Sequence, residues 1–328
     1  MTPRYPTMII GIVLALLAAA GIGWLLLAQP MLGGASPSSV ETWQLRLRED
    51  VETLTTRFHP RDWLHTENLD RCADFIALRF RQAGAEVEVQ EFAVQGREYR
   101  NVIGRFGIGG APRIVVGAHY DTFGKLPGAD DNASGVAVLL ALAELIGAHA
   151  PGLAVDLVAY SLEEPPFFGT PLMGSAVHAA SVAKGGTACL GVIVLEMVGF
   201  FSDAPGSQGY PSPLLRLMYP GRGDFIAVVS RWDQSDWIRA VKAAMKGTTE
   251  MPIHSLRSPS FVPGIDLSDH MNYWPHGIPS LMVTDTAFYR NPYYHTPEDT
   301  PEKLDYRRMA QVAVAVFEAV RTLGTRVM

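Results

Sequence analysis

Three short apolar segments of this chain each run into a titratable side chain. Ile114–Val116 leads through Gly117 and Ala118 to His119, Ala154–Tyr160 leads to Glu163-Glu164, and Leu190–Leu195 ends at Glu196. Apolar runs this short, bounded by glycine and turn residues, are the pattern of core strands rather than helices. Phe225–Val229 and Ser280–Val283 read the same way, and Val87 and Val89 alternate with charged residues as in a half-exposed strand. Helical patterns fall between them. Leu69, Cys72, Ala73, Ile76, Ala77, Phe80 and Ala83 recur at helical spacing before Gly84, a residue suited to a C-terminal cap. Ser134 is placed to cap a helix that runs through Ile146 and is apolar nearly all round; a closing helix carries Met309, Val312, Val316, Val320 and Leu323 on one stripe. This alternation predicts an α/β fold with a mixed, mostly parallel central sheet and helices on both faces. Sites in such sheets lie just beyond the carboxyl ends of strands, where His119, Glu163 and Glu196 all stand.

The N-terminus belongs to a different environment. Met8 to Ala28 is an uninterrupted apolar run. A bilayer core of about 30 Å needs about 20 such residues in a helix, whereas the apolar part of a cleaved signal is usually only about 7–15 residues long. The reading is therefore an uncleaved transmembrane anchor over 1–30, a Gly/Ser/Pro linker over 31–40, and one catalytic domain over 41–328. Arg4 precedes the run and no basic residue follows it until Arg46, which places the N-terminus in the cytoplasm and the domain outside. A net charge of −6 argues against a nucleic-acid partner. Two cysteines, Cys72 and Cys189, make no disulfide framework and read as buried free thiols. Nothing in the pattern speaks to oligomeric state.

The polar residues at the strand ends are the candidate chemistry. His119-Tyr120-Asp121 places an imidazole two residues from a carboxylate, and a metal-binding histidine usually gives its second ring N–H to such a group. Alone, a His-x-Asp is most often incidental; after a core strand and before a glycine-rich loop it gains weight. Asp130-Asp131-Asn132 precedes the buried helix. Turn and cap chemistry explains one carboxylate there, while the pair leaves one free to bridge two cations about 3.5–4 Å apart. Glu163 and Glu164 point in different directions on a non-helical backbone, so one can hold metal while its neighbour moves protons. Glu196 closes an apolar strand, where an unpartnered carboxylate would be costly. His295, in Tyr293-Tyr294-His295-Thr296-Pro297-Glu298-Asp299, completes the set. Imidazole and carboxylate without thiolate is the ligand chemistry of catalytic zinc.

With these motifs in order, the chain from about residue 65 onward resembles the co-catalytic dizinc exopeptidases, which include aminopeptidases and glutamate-carboxypeptidase-like enzymes, with glutaminyl cyclase as a relative. The resemblance implies the zinc-exopeptidase (phosphorylase/hydrolase-like) fold and two zinc ions. It implies His119, Glu164, Glu196 and His295 as outer ligands, Asp131 as bridge, and Glu163 as general base. Asp269, in Ser268-Asp269-His270, matches a carboxylate that supports the ligands, a role that spacing alone suggests for Asp121 beside His119, and Tyr294 is similar in position to a tyrosine that stabilises the oxyanion. The chain departs from the family pattern after Glu164, where Pro165-Pro166-Phe167-Phe168-Gly169-Thr170-Pro171 replaces a short glycine-leucine-glycine-serine motif, with Gly174-Ser175 as a displaced counterpart.

The expected activity is zinc-dependent hydrolysis of the N-terminal bond of peptides with a free N-terminus. Two alternatives stay open. One is glutaminyl cyclisation on a single zinc held by Asp131, Glu164 and His295; the other is a non-catalytic, receptor-like ectodomain. His254 and His276 read as structural or surface residues, and Trp232 and Trp237 as packing.

Overall fold

A computed structural model of the chain describes residues 5–30, 40–107, 109–149 and 152–325. Arg4 and the expected linker, apart from Val40, lie outside the described residues. Among the described residues, eight strands form one sheet: β1 (Glu86–Val94), β2 (Arg97–Phe106), β3 (Arg113–His119), β4 (Ala154–Tyr160), β5 (Cys189–Glu196), β6 (Ile226–Arg231), β7 (Ile253–Ser258) and β8 (Ser280–Thr284). Their order is β1-β2-β4-β3-β5-β8-β6-β7. The central four, β4-β3-β5-β8, are mutually parallel. The β1–β2 hairpin adds antiparallel to β4 at one edge. At the other edge β6 runs antiparallel to β8, and β7 pairs parallel to β6. The sheet is thus mixed with a parallel centre, as the pattern predicts.

Alternate residues of the central strands serve two cores, the period-2 consequence of strand geometry. On one face Ile114, Val116, Leu157 and Ile193 pack against α2 (Glu41–Arg57), α3 (Thr66–Gln82), α4 (Gly135–Ala148) and α7 (Tyr306–Thr325). On the other, Val115, Val158, Val192 and Val194 pack with Ala179 of α5 (Gly174–Lys184) and Tyr273. α6 (Ser235–Met245) adds Trp237, Ile238 and Val241 to the first face. Gly117 on β3 is required by space: a Cβ there would overlap the Tyr160 ring on neighbouring β4.

Several local expectations change. Ser134 does not cap α4; its hydroxyl donates to the Asp130 carbonyl at 2.7 Å and accepts from Val198 N–H. Asn132 Oδ1 takes the Gly135 N–H instead at 3.1 Å, so the first-turn donor is satisfied from three residues earlier. Trp237 packs as expected, with Nε1–H on the Val192 carbonyl, but Trp232 is 53% exposed. Cys72 is buried in α3, Cys189 lies in β5, and both are free thiols. The apolar run forms α1 (Tyr5–Ala28), and its stretch Ile10–Ala28 is long and apolar enough to cross a membrane. Its side chains are largely uncovered, Leu16 at 65% and Leu17 at 63%. α4 is apolar enough too, but lies inside the core.

Candidate metal centre

His119 is the last residue of β3 and is fully buried. Its Nε2 lies 3.3 Å from Asp131 Oδ1, 3.5 Å from Glu196 Oε2 and 3.8 Å from Glu163 Oε2. The other Asp131 oxygen, Oδ2, lies 3.1 Å from His295 Nε2, which is also 3.3 Å from Glu164 Oε2. Asp131 therefore offers one oxygen to each imidazole. Two donor sets result, His119–Asp131–Glu196 and Asp131–Glu164–His295, with the ligand atoms of each within 4.8 Å of one another. The structure thus brings together all five residues singled out in the sequence, from segments up to 176 residues apart. Glu163 stands beside them at the pocket wall.

The parallel register explains this convergence. His119 pairs with Tyr160 and Gly117 with Val194, so β3, β4 and β5 release His119, Glu163-Glu164 and Glu196 at one edge. The backbone then bends sharply. Leu162, Met197 and His295 have φ of 61°, 47° and 54°, a left-handed conformation uncommon without glycine and concentrated here around the site. Asp131 sits in the distorted turn Ala129–Ser134, where the N–H groups of Asp130 and Asp131 donate to the Asp299 carboxylate at 2.9 and 3.1 Å. His295 is stacked between Phe123 (centroids 4.2 Å apart) and Tyr294 (3.8 Å).

Asp121 faces the His119 ring, with its Oδ1 3.5 Å from Nδ1, and it also holds the glutamate pair. Its carboxylate oxygens accept the N–H groups of Glu163 (3.2 Å) and Glu164 (3.1 Å), while its backbone carbonyl faces His119 Nδ1 at 3.2 Å. Two adjacent N–H donors match the two carboxylate oxygens, so the side chain fixes the glutamate pair while its carboxylate and backbone carbonyl both face the His119 ring. Asp269 is buried at the start of the turn Asp269–His276, and neither of its carboxylate oxygens bonds to a candidate ligand. The neighbouring Ser268 does so, its hydroxyl donating to Glu196 Oε2 at 2.7 Å. Asp130 turns away from the centre: it accepts from Gly199 N–H and Asn291 Nδ2–H. Ser268 and Asp299 are the supporting residues that sequence reasoning missed. Asp299 falls in the His295 segment, where an aspartate after a proline turn is a usable signal; Ser268 touches Glu196 across 72 residues and leaves no local one.

The electrostatics show a cluster that calls for positive charge. Burial pushes Glu163 well above the carboxylate range, His119 opposes this, and Glu196 and Glu164 add to it. Burial raises Glu164 to about 8. Burial alone would lower both histidines, but the facing carboxylates win, raising His119 well above 6.5 and His295 to about 10. The buried atoms His119 Nε2, His295 Nε2 and Glu164 Oε1 make no well-formed hydrogen bond. Unsatisfied donor atoms on imidazoles and carboxylates, aimed at two common points, fit two divalent cations of the zinc type.

Beyond the carboxylates extends an apolar pocket walled by Phe168, Tyr219, Phe225, Leu256, Phe288 and Tyr294. Phe168 comes from the proline-rich insertion, so that departure shapes the pocket. His254, expected to be structural, also lines it and packs edge-on against Phe225; His276 is exposed. Burial pushes the Tyr294 phenol above its ordinary range, so it remains a donor.

Comparison with known proteins follows the same line. The model of peptidase family M28 matches residues 101–320. The uncharacterized protein YfbL of Escherichia coli (strain K12) is 47% identical over 280 residues, spanning 83% of this chain and 86% of that protein. Leucine aminopeptidase 1 of Uncinocarpus reesii (strain UAMH 1704) is 26% identical, over 85% of this chain and 69% of its own length. The fold is shared with BSAP, a zinc aminopeptidase from Bacillus subtilis (TM-score 0.68, 16% identity, 87% and 96% covered). It is shared too with a glutaminyl cyclase from Tannerella forsythia (TM-score 0.63, 23% identity, 85% and 98% covered).

Proposed function

Because the chain belongs to peptidase family M28, we propose that it is a membrane-anchored aminopeptidase with two zinc ions per chain. The observation that carries this reading is Asp131, whose two oxygens face two separate histidines, each completed by its own glutamate. His119 and Glu196 would hold one ion, Glu164 and His295 the other, and Asp131 both. Bound zinc would polarise the scissile carbonyl and lower the pKa of the attacking water. Glu163, facing the pocket on a backbone fixed by Asp121, takes the proton of that water and returns it to the leaving amine. Tyr294 donates to the developing oxyanion. Asp121, Ser268 and Asp299 hold these groups in place, and Asp269 is a buried carboxylate behind them.

The anchor reading rests on α1 and its uncovered apolar sides. It divides the chain into an anchor (1–30), a linker (31–40) and a peptidase domain (41–328), with the N-terminus cytoplasmic and the domain on the outer side. Glutaminyl cyclisation is the second reading, favoured by the shared fold and by Asp131–Glu164–His295 forming a complete set alone. It leaves His119 and Glu196 idle, although their donor atoms cluster with one oxygen of Asp131. A filled ligand set likewise disfavours a non-catalytic ectodomain.

A panel of aminoacyl anilides and N-terminally blocked peptides tests the reading. Free amines with apolar first residues should be cleaved and their blocked counterparts left intact, since the pocket beside the carboxylates is apolar. Cleavage of the blocked peptides at equal rates would reject the aminopeptidase assignment.

A further inference from the structure

The end of the membrane helix is built into the catalytic domain. Lys242 on α6, 3% exposed, donates to the carbonyls of Ala28 (2.6 Å) and Gln29 (3.2 Å) and to Ser255 Oγ (3.0 Å). Ser255 on β7 also donates to the Ala28 carbonyl, and Arg257 reaches that of Leu26. Gln29 returns the contact through Nε2–H to the Ser235 carbonyl. The last carbonyls of a helix have no partner within it, so these side chains supply a C-terminal cap from a distant part of the fold. Ala28 is packed with Leu215 and Tyr219, and Tyr219 in turn walls the pocket. A helix latched this way is no loose tether. It fixes which side of the domain faces the bilayer.

That side is the β7 edge of the sheet. Beside Ala28, the 3-10 turn Pro213–Leu217 buries Leu215 and leaves Leu214 65% and Leu217 83% exposed. Three residues per turn put these two leucines on one side. Trp232, 53% exposed, lies three residues before Ser235, which takes the Gln29 bond. Besides the buried Lys242, residues 210–260 carry six Lys and Arg against four Asp and Glu, in a chain whose net charge is −6. Exposed leucines and a tryptophan among basic residues, next to the end of a membrane helix, match the chemistry of a lipid interface with anionic headgroups.

We infer that the domain rests edge-on against the bilayer that holds α1, with Leu214, Leu217 and Trp232 in the interface. This deepens the proposed function and rests on its membrane anchor. The pocket runs from the metal centre to His254, Ser255 and Leu256 on β7, so it lies at the membrane surface, where peptides with apolar N-termini accumulate.

The test uses the full chain in phosphatidylcholine vesicles, with and without phosphatidylserine. An environment-sensitive fluorophore is placed on a Leu217→Cys thiol, and in a second sample on Glu98→Cys. Glu98 lies in β2 of the β1–β2 hairpin, six strand spacings or about 29 Å from β7. The label at 217 should shift to the blue and lose most of its emission to quenchers carried on the lipid chains, more strongly with phosphatidylserine, while the label at 98 stays in water. Equal, water-like signals at both positions would overturn the inference, as would release of the chain from vesicles by alkaline carbonate. Hydrolysis of a soluble leucyl anilide, measured on the same vesicles, is read separately. Its absence would reject the aminopeptidase reading and leave the docking result standing. The double change Leu214→Glu, Leu217→Glu should leave that hydrolysis unchanged and abolish the added effect of phosphatidylserine.

Discussion

Replacing Glu163 by glutamine is expected to lower kcat by about 10²–10⁴-fold while the zinc content stays unchanged. The amide keeps the shape of the side chain and its place at the pocket wall, but has no basic oxygen to receive a proton. Glu163 belongs to neither candidate donor set, so metal affinity should be untouched. Its carboxylate is pushed upward by burial, with His119 opposing and Glu196 and Glu164 adding. Metal analysis, steady-state kinetics and a thermal melt on the same preparation separate the outcomes. A fully metal-loaded, folded Glu163→Gln chain with near wild-type kcat would remove Glu163 from the role of base.

The second large effect concerns Asp131. The change Asp131→Asn should reduce bound zinc at both positions together and lower kcat/KM by more than ~100-fold, beyond the range seen for residues that merely support a ligand. One oxygen remains an acceptor, but the charge shared between the two histidines is lost, and an NH2 now faces one imidazole. Asp130→Asn is the informative comparison. Asp130 bonds to Gly199 and Asn291 rather than to the histidines, so its change should lower thermal stability before it lowers zinc occupancy. Metal analysis of the two variants checks this; loss of only one ion from Asp131→Asn would mean that Asp131 serves a single site.

Much of the architecture is legible because its strands are buried on both faces and read as continuous apolar runs. β4 is read from the sequence with the bounds the structure gives it, Ala154–Tyr160. β2 and β7 escape that reading for a physical reason. β2 carries Arg97 and Glu98 at exposed positions and Arg100 and Arg105 at half-buried ones, and its Gly104 is there so that Phe80 of α3 can pack against bare backbone. β7, Ile253–Ser258, is an edge strand only half buried, with His254 and Arg257 breaking the pattern. In the centre, strand-end position and residue type mark His119, Glu163, Glu164 and Glu196 without any long-range information. The partners that orient them do not show. Ser268, Asp299 and the two-pronged grip of Asp121 depend on contacts across 42 to 169 residues, set by how loops fold back rather than by spacing along the chain. The latch of Lys242 on Ala28 spans 214 residues and is equally silent in the sequence.

Two zinc ions sharing Asp131 are the core of the proposed function. Stepwise addition of zinc to the metal-free, full-length chain, followed by bound metal and by hydrolysis of a leucyl anilide, tests it most directly. Two zinc ions should bind per chain, and full activity should require the second. Saturation at one zinc, with cyclisation of an N-terminal glutamine peptide in place of anilide hydrolysis, would contradict it.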